Sequence, residues 1–177
     1  MVYLLSLNSG KMNYMKAIKI LYLSDRKSLL NGHDSITTDS YKSLNFGPVT
    51  DCIYDCIKHG SSDLWNTYIE KQGYNIVQID DIEYEMLSIA DRETIQHVND
   101  EFRDLNQFEL ADYCHENLPE WENPYGSSIP INIESIIESG ISSPDQRKSV
   151  LESLTIGAWT QRNNYRMHKR NCIDENR

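Results

Sequence analysis

The sequence predicts an α+β fold: a mainly helical single domain carrying a small antiparallel β-sheet or hairpin. Three observations lead there. In the first helix of any length, Ile18, Leu21, Tyr22 and Leu29 recur at helical spacing, and Ile20 and Leu23 widen the stripe. A stripe that broad is buried against more than one neighbour. Short β-prone runs follow at residues 35–38, 42–46 and 74–79, bounded by turn residues. In the second half, Ser88 with Asp91 and Asn106 with Glu109 have capping-box spacing ahead of apolar-periodic segments. A chain of 177 residues is long enough for one real core and short for two.

In chain order, residues 3–7 are the last turns of a helix closed by Asn8-Ser9-Gly10. The main helix is expected to start near Lys11 and to stop at Asn31-Gly32, where glycine takes the left-handed conformation. Residues 35–38 and 42–46 would pair as a hairpin around Asp39 to Tyr41. Pro48, behind Gly47, suits the first turn of the next helix, where its missing N–H does no harm. That helix, residues 49–59, puts Val49, Ile53, Cys56 and Ile57 on one face and ends at Gly60. Residues 63–71 read as another short helix, with Leu64, Trp65, Tyr68 and Ile69 apolar and Gly73 behind it. Residues 74–79 alternate as the third strand of the small sheet, and residues 80–85 form an acidic loop. The helix opened by Ser88 runs to about Asp104 with Ile95, Val98 and Phe102 on its face. The one opened by Asn106 carries Phe108, Leu110, Ala111 and Cys114. Pro119, Pro124 and Gly126 make the next stretch irregular. Pro130 precedes a short helix at 133–139, and Ser143-Pro144 opens the last one, with Val150, Leu151, Leu154, Ile156 and Trp159 inward. The domain is placed at residues 1–163 and a polar, partly basic tail at 164–177.

Bulk properties exclude several classes. A net charge of −10 and a pI near 4.9 argue against a general nucleic-acid binder, because neutralising phosphates needs clustered cations. The acidic balance fits a soluble cytoplasmic protein and one whose partner is basic. No run reaches the roughly 18 apolar residues of a membrane span. The start, MVYLLSLNSGK, lacks the basic residues and length of a signal peptide. Cysteines at 52, 56, 114 and 172 make neither a C-x-x-C pair nor a zinc ribbon and read as reduced thiols.

Candidates for chemistry weigh lightly. Cys52 and Cys56 share a helix face and could in principle bind a metal with His59, but a partly buried face explains them better. Neither a metal nor a cofactor is expected. Cys114-His115-Glu116 invites a nucleophile-and-base reading, yet adjacent helical residues point apart; Cys114 suits the core and His115 a polar contact to a loop. Asp25-Arg26 is either a solvated turn or a polar anchor for the hairpin that follows, with the anchor favoured, and Asp39 and Tyr41 would work from the other side. Trp121 is a plug under the irregular loop or an exposed interface anchor, with the plug favoured. Between Asp80 and Glu122 there are 14 acidic residues against Arg92 and Arg103, a solvated face or a surface that steers a cationic partner. The tail is basic, but it offers no aromatic platform beyond Tyr165 for a nucleic acid.

The stretch from Lys16 to Val49 resembles the SocA-like antitoxin family, also called the Panacea domain. Its helix of the form K-L-x-K-L-L-Y-L-A-D is matched by Lys16, Lys19, Ile20, Leu21, Tyr22, Leu23 and Asp25. A segment like I-T-x-D-x-Y leading to G-P-V is matched by Ile36, Thr37, Asp39, Tyr41, Gly47, Pro48 and Val49. A second motif, L-S-D-x-x-H ahead of a tryptophan, corresponds to Leu110, Asp112, His115 and Trp121, with Ala111 in place of the serine and Cys114 where serine or threonine is common. The first helix looks shortened against the family. The resemblance covers about residues 3–155. It implies a non-enzymatic antitoxin, often phage- or prophage-associated and linked to phage defence, that neutralises a protein toxin by direct binding. It names neither the toxin nor the oligomeric state. The alternatives are an adaptor that delivers the toxin to a protease and, from another class, a small hydrolase using His115 with Asp112 or Cys114. The resemblance carries over no catalytic residues. Tyr22, Asp25, Thr37, Asp39, Tyr41, Gly47, Pro48, Asp112, His115 and Trp121 are expected to form the scaffold of the binding surface.

Overall fold

The structure is a computed structural model of the chain and describes residues 1–60, 63–82 and 86–155. The chain runs α1 (Val2–Ser6), β1 (Lys11–Asn13), α2 (Tyr14–Leu30), β2 (Tyr41–Leu44), β3 (Gly47–Thr50), α3 (Asp51–His59) and α4 (Asp63–Tyr68). It continues through β4 (Ile69–Gln72), β5 (Asn75–Gln78), α5 (Ile89–Glu101), α6 (Gln107–Asn117), β6 (Ile129–Ile131) and α7 (Ile133–Gly140), and residues 144–155 are again helical. The architecture is the expected α+β. Helix α2 is its axle: every residue from Ala17 to Asp25 is buried, and the helix packs against α5, α6, α7 and β3. A helix covered on all sides needs side chains that are apolar or fully satisfied, and α2 uses both.

The strands form two three-stranded antiparallel sheets, ordered β1-β5-β4 and β3-β2-β6. Several local expectations change as a result. Helix α2 starts at Tyr14, not near Lys11, because Lys11–Asn13 pairs with β5 and the Asn13 side chain caps the amides of Met15 and Lys16. The hairpin pairs Tyr41–Leu44 with Gly47–Thr50 around Asn45-Phe46, and residues 35–38 are not a strand. Thr38 sits at φ 53°, a left-handed conformation that interrupts extended pairing, and the Thr37 amide is taken by Asp25. Pro48 lies within β3, opposite Ser43, and not in the first turn of α3. β3 is an edge strand, where a missing N–H is tolerated.

The third strand of the hairpin sheet is β6; residues 75–78 belong to the other sheet, between β1 and β4. The expected helix at 63–71 stops at Tyr68, and its last residues become β4. Both capping boxes are present, at Ser88/Asp91 and Asn106/Glu109, although α5 ends at Glu101, earlier than Asp104. In the last helix Val150 is buried and Leu151 and Leu154 are half-buried. Ile156, Trp159, residues 83–85 of the acidic loop and the tail lie outside the described residues.

Candidate functional site

Two polar networks meet at Tyr22 of α2. In the first, the Asp25 carboxylate, fully buried, accepts hydrogen bonds from the Thr37 amide at 2.9 Å, the Thr37 hydroxyl and the Tyr41 hydroxyl at 3.1 Å. Burial pushes the Asp25 acid up, and those donors pull it back towards the charged form. Thr37 in turn accepts from the Asp39 amide. The Asp39 carboxylate accepts from the amides of Cys52 at 2.9 Å and Ile53 at 3.0 Å. It thereby caps α3 from outside, since the local cap residue Thr50 contributes no side-chain bond. Tyr41 meets Tyr22 edge to face at 5.4 Å, and burial raises the titration of both phenols. Five of the predicted residues, Tyr22, Asp25, Thr37, Asp39 and Tyr41, are therefore one connected unit. It fixes residues 36–41 to α2 and α3.

The second network is built on a residue that the sequence reading did not single out. Glu120 has a fully buried side chain. It accepts from the Tyr22 hydroxyl at 3.0 Å, from Arg26 Nε at 2.6 Å and from the Ser139 hydroxyl at 2.6 Å. Counted among the acids of residues 80–122, it had looked like part of a solvated face. Only its place between Pro119 and Trp121, in a stretch that must fold back on the core, hinted otherwise.

His115 and Trp121 hold the β2–β3 turn. Their rings stack at 4.0 Å, Trp121 Nε1 donates to the Leu44 carbonyl at 3.0 Å, and the His115 ring is hydrogen-bonded to the backbone of Asn45. Trp121 is half-buried beneath the irregular loop. Burial, then the charge of Lys19, holds the His115 pKa below its ordinary value. Asp112 is exposed on the same helix. Burial pushes the Cys114 thiol up to about 11, the opposite of an activated nucleophile. Among the described residues no cluster of three or more His, Cys, Asp or Glu side chains could hold a metal, so Cys52, Cys56 and His59 do not form one.

Beside the β2–β3 turn opens a cleft of about 770 Å³. It lies between the start of α2, the β2–β3 turn, the start of α6 and one side of α3, with Ile18, Lys19, Phe46, Tyr54, Tyr74 and Phe108 among its walls. Gly47 borders it at φ 101°. A Cβ there would lie 3.2 Å from Lys19 Cε and 3.4 Å from Cys114 Cβ, so the chain can pass over Lys19 only as glycine. Lys19 itself is 1 % exposed, and burial lowers its pKa to about 8.

The family model of the antitoxin SocA-like Panacea domain matches residues 18–122, more than half of the chain. The chain belongs to this family. No curated protein and no solved structure matches. The Panacea match begins in α2 and ends just past Trp121, so it contains the Asp25 and Asp39 network, the His115–Trp121 stack and most of the cleft. Strand β6 and Ser139, which complete the hairpin sheet and the Glu120 network, lie beyond it. Membership points to a toxin–antitoxin role and to a non-enzymatic one. No helix among the described residues is long and apolar enough to cross a membrane.

Proposed function

We propose that this Panacea-domain chain is an antitoxin that neutralises a protein toxin by binding it directly. The family match over residues 18–122 carries the reading. The chemistry around His115 agrees with it: the imidazole is stacked on Trp121 and bonded to Asn45, and the adjacent thiol is buried and hard to ionise. The motif residues from Tyr22 to Tyr41 and at Gly47 and Pro48 are buried or half-buried. They act as a frame that holds the β2–β3 turn and neighbouring helix ends in place for the partner.

The test is co-expression with the product of the adjacent gene. Growth rescue together with a complex that survives purification supports direct neutralisation. Absence of both removes the reading. A fall in toxin level, measured by immunoblot and abolished by loss of a cellular protease, would instead mark an adaptor. His115→Ala should leave rescue intact, whereas loss of rescue with binding retained would point to chemistry at this residue.

A further inference from the structure

We propose that the cleft over Lys19 receives a segment of the bound toxin that inserts an apolar side chain beside a carboxylate, the carboxylate pairing with the Lys19 ammonium. The inference rests on the antitoxin reading and adds where, and by what chemistry, the partner is held.

The argument starts from an unbalanced charge. A buried ammonium is expensive unless it is paired, and ordinary buried lysines meet a carboxylate. Lys19 lies in the buried run of α2 beside Gly47 and Cys114, and among the described residues no carboxylate reaches it. Its electrostatic neighbour is the thiol of Cys114, which burial keeps neutral. The nearby imidazole of His115 has a buried Nε2 without a partner and is biased towards its neutral form. The two buried acids are already committed, Asp25 to Thr37 and Tyr41 and Glu120 to Tyr22, Arg26 and Ser139.

The walls repeat the bias. In a chain with a net charge of −10, the residues lining this cleft include two lysines, Lys19 and Lys58, and no aspartate or glutamate. Lys58 also sits over the rings of Tyr14 and Tyr54, 5.4 Å from each centroid. Such a cleft is complementary to an anion with an apolar body. The rim decides between a free small molecule and a protein segment. Phe46 is 57 %, Phe108 56 % and Tyr74 76 % exposed, with Phe46 and Phe108 in edge contact at 6.4 Å. Exposed aromatic walls of this extent suit a protein partner, which covers them and uses them as anchors.

Two probes test the assignment: 8-anilinonaphthalene-1-sulfonate, an apolar anion, and the purified product of the adjacent gene. The sulfonate should bind the wild-type chain and be displaced when the toxin binds. Lys19→Met, shown folded by circular dichroism, should weaken the sulfonate by about tenfold while leaving the uncharged analogue N-phenyl-1-naphthylamine within about a factor of two. Phe108→Asp, at an exposed position, should weaken the toxin by about tenfold or more, and Lys58→Ala by less, while Ile89→Asp outside the cleft leaves it unchanged. If the toxin binds but the sulfonate stays in place, or the cleft variants bind as tightly as wild type, the cleft assignment is overturned and the antitoxin reading stands. If no complex forms, the antitoxin reading fails and the toxin-segment assignment with it. Equal weakening of charged and neutral probes by Lys19→Met overturns the role given to the ammonium.

Discussion

Lys19→Met should make the protein more stable. In the folded chain burial lowers the Lys19 pKa from 10.5 to about 8, so the folded state resists the charged form that dominates at neutral pH. At 1.36 kcal/mol per pKa unit, the buried ammonium destabilises the fold at pH 7 by about 3 kcal/mol. Methionine keeps most of the side-chain volume and removes the charge, and after a small loss of packing the net gain should be about 2 kcal/mol. For a chain of this size that is a rise in Tm of about 4–8 °C. The sign with pH follows from proton counting. Between about 8 and 10.5 the unfolded chain holds the Lys19 proton and the folded chain has lost it, so wild-type stability from this group rises with pH across that window. The advantage of the variant is therefore full below about pH 8 and shrinks from about 3 kcal/mol at pH 7 to about 1 kcal/mol at pH 10 before the packing loss. Urea unfolding of both proteins at pH 7 and pH 10 measures it, the difference between them cancelling groups that titrate alike in both. A variant less stable than wild type, or a difference that does not change with pH, would show that the ammonium is already paired or hydrated in the free protein.

Three further substitutions probe the frame around the cleft. Gly47→Val should destabilise by about 2–4 kcal/mol in thermal or urea melts, because φ 101° is strained for any L side chain and the new methyl groups meet Lys19 and Cys114; a silent change would mean that the hairpin shifts to accept it. Asp25→Ala should cost about 2–4 kcal/mol, since the Thr37 and Tyr41 donors lose their acceptor, whereas Glu93→Ala on the exposed face of α5 should stay within about 0.5 kcal/mol. Equal losses would return Asp25 to an ordinary surface role. Glu120→Ala should cost about 3–5 kcal/mol by leaving Arg26 uncompensated, and Arg26→Met introduced with it should recover part of that loss; no recovery in the double variant would show that the ion pair is not the source.

What could be read from the sequence was whatever is settled within a few residues. The two capping boxes were legible because the donor and acceptor of each are three positions apart, and Gly60 ended α3 in the left-handed conformation expected of it. The burial of α2 was legible from the width of its stripe. The hairpin register was not, because it depends on contacts between distant residues. Asp25 takes the Thr37 amide twelve positions away, and Asp39 takes the amides of Cys52 and Ile53; with residues 36–39 committed in this way, the strand moves on to Tyr41. Strand β6 was obscured by Pro130, which reads as a breaker but sits opposite Lys42 in an edge strand.

Lys19 shows how the same reasoning can be taken one step further. Set between Ile18 and Ile20 in the widened stripe, it had passed as one more match to the family helix. A stripe wide enough to bury α2 on all sides, however, leaves no wet position in its middle, and a lysine there must find a counter-charge or go without. Asp25 and Arg26 occupy the same helix and meet that demand, each with named partners in the core. Lys19 does not, and it is also the residue over which Gly47 leaves room and the cleft opens. A charge left unbalanced in the free protein is a binding free energy held in reserve, because a partner that supplies the missing carboxylate gains the pairing without displacing one already made. The frame of buried tyrosines and carboxylates fixes the β2–β3 turn beside the cleft, and on this proposal it holds that one ammonium where a partner can reach it.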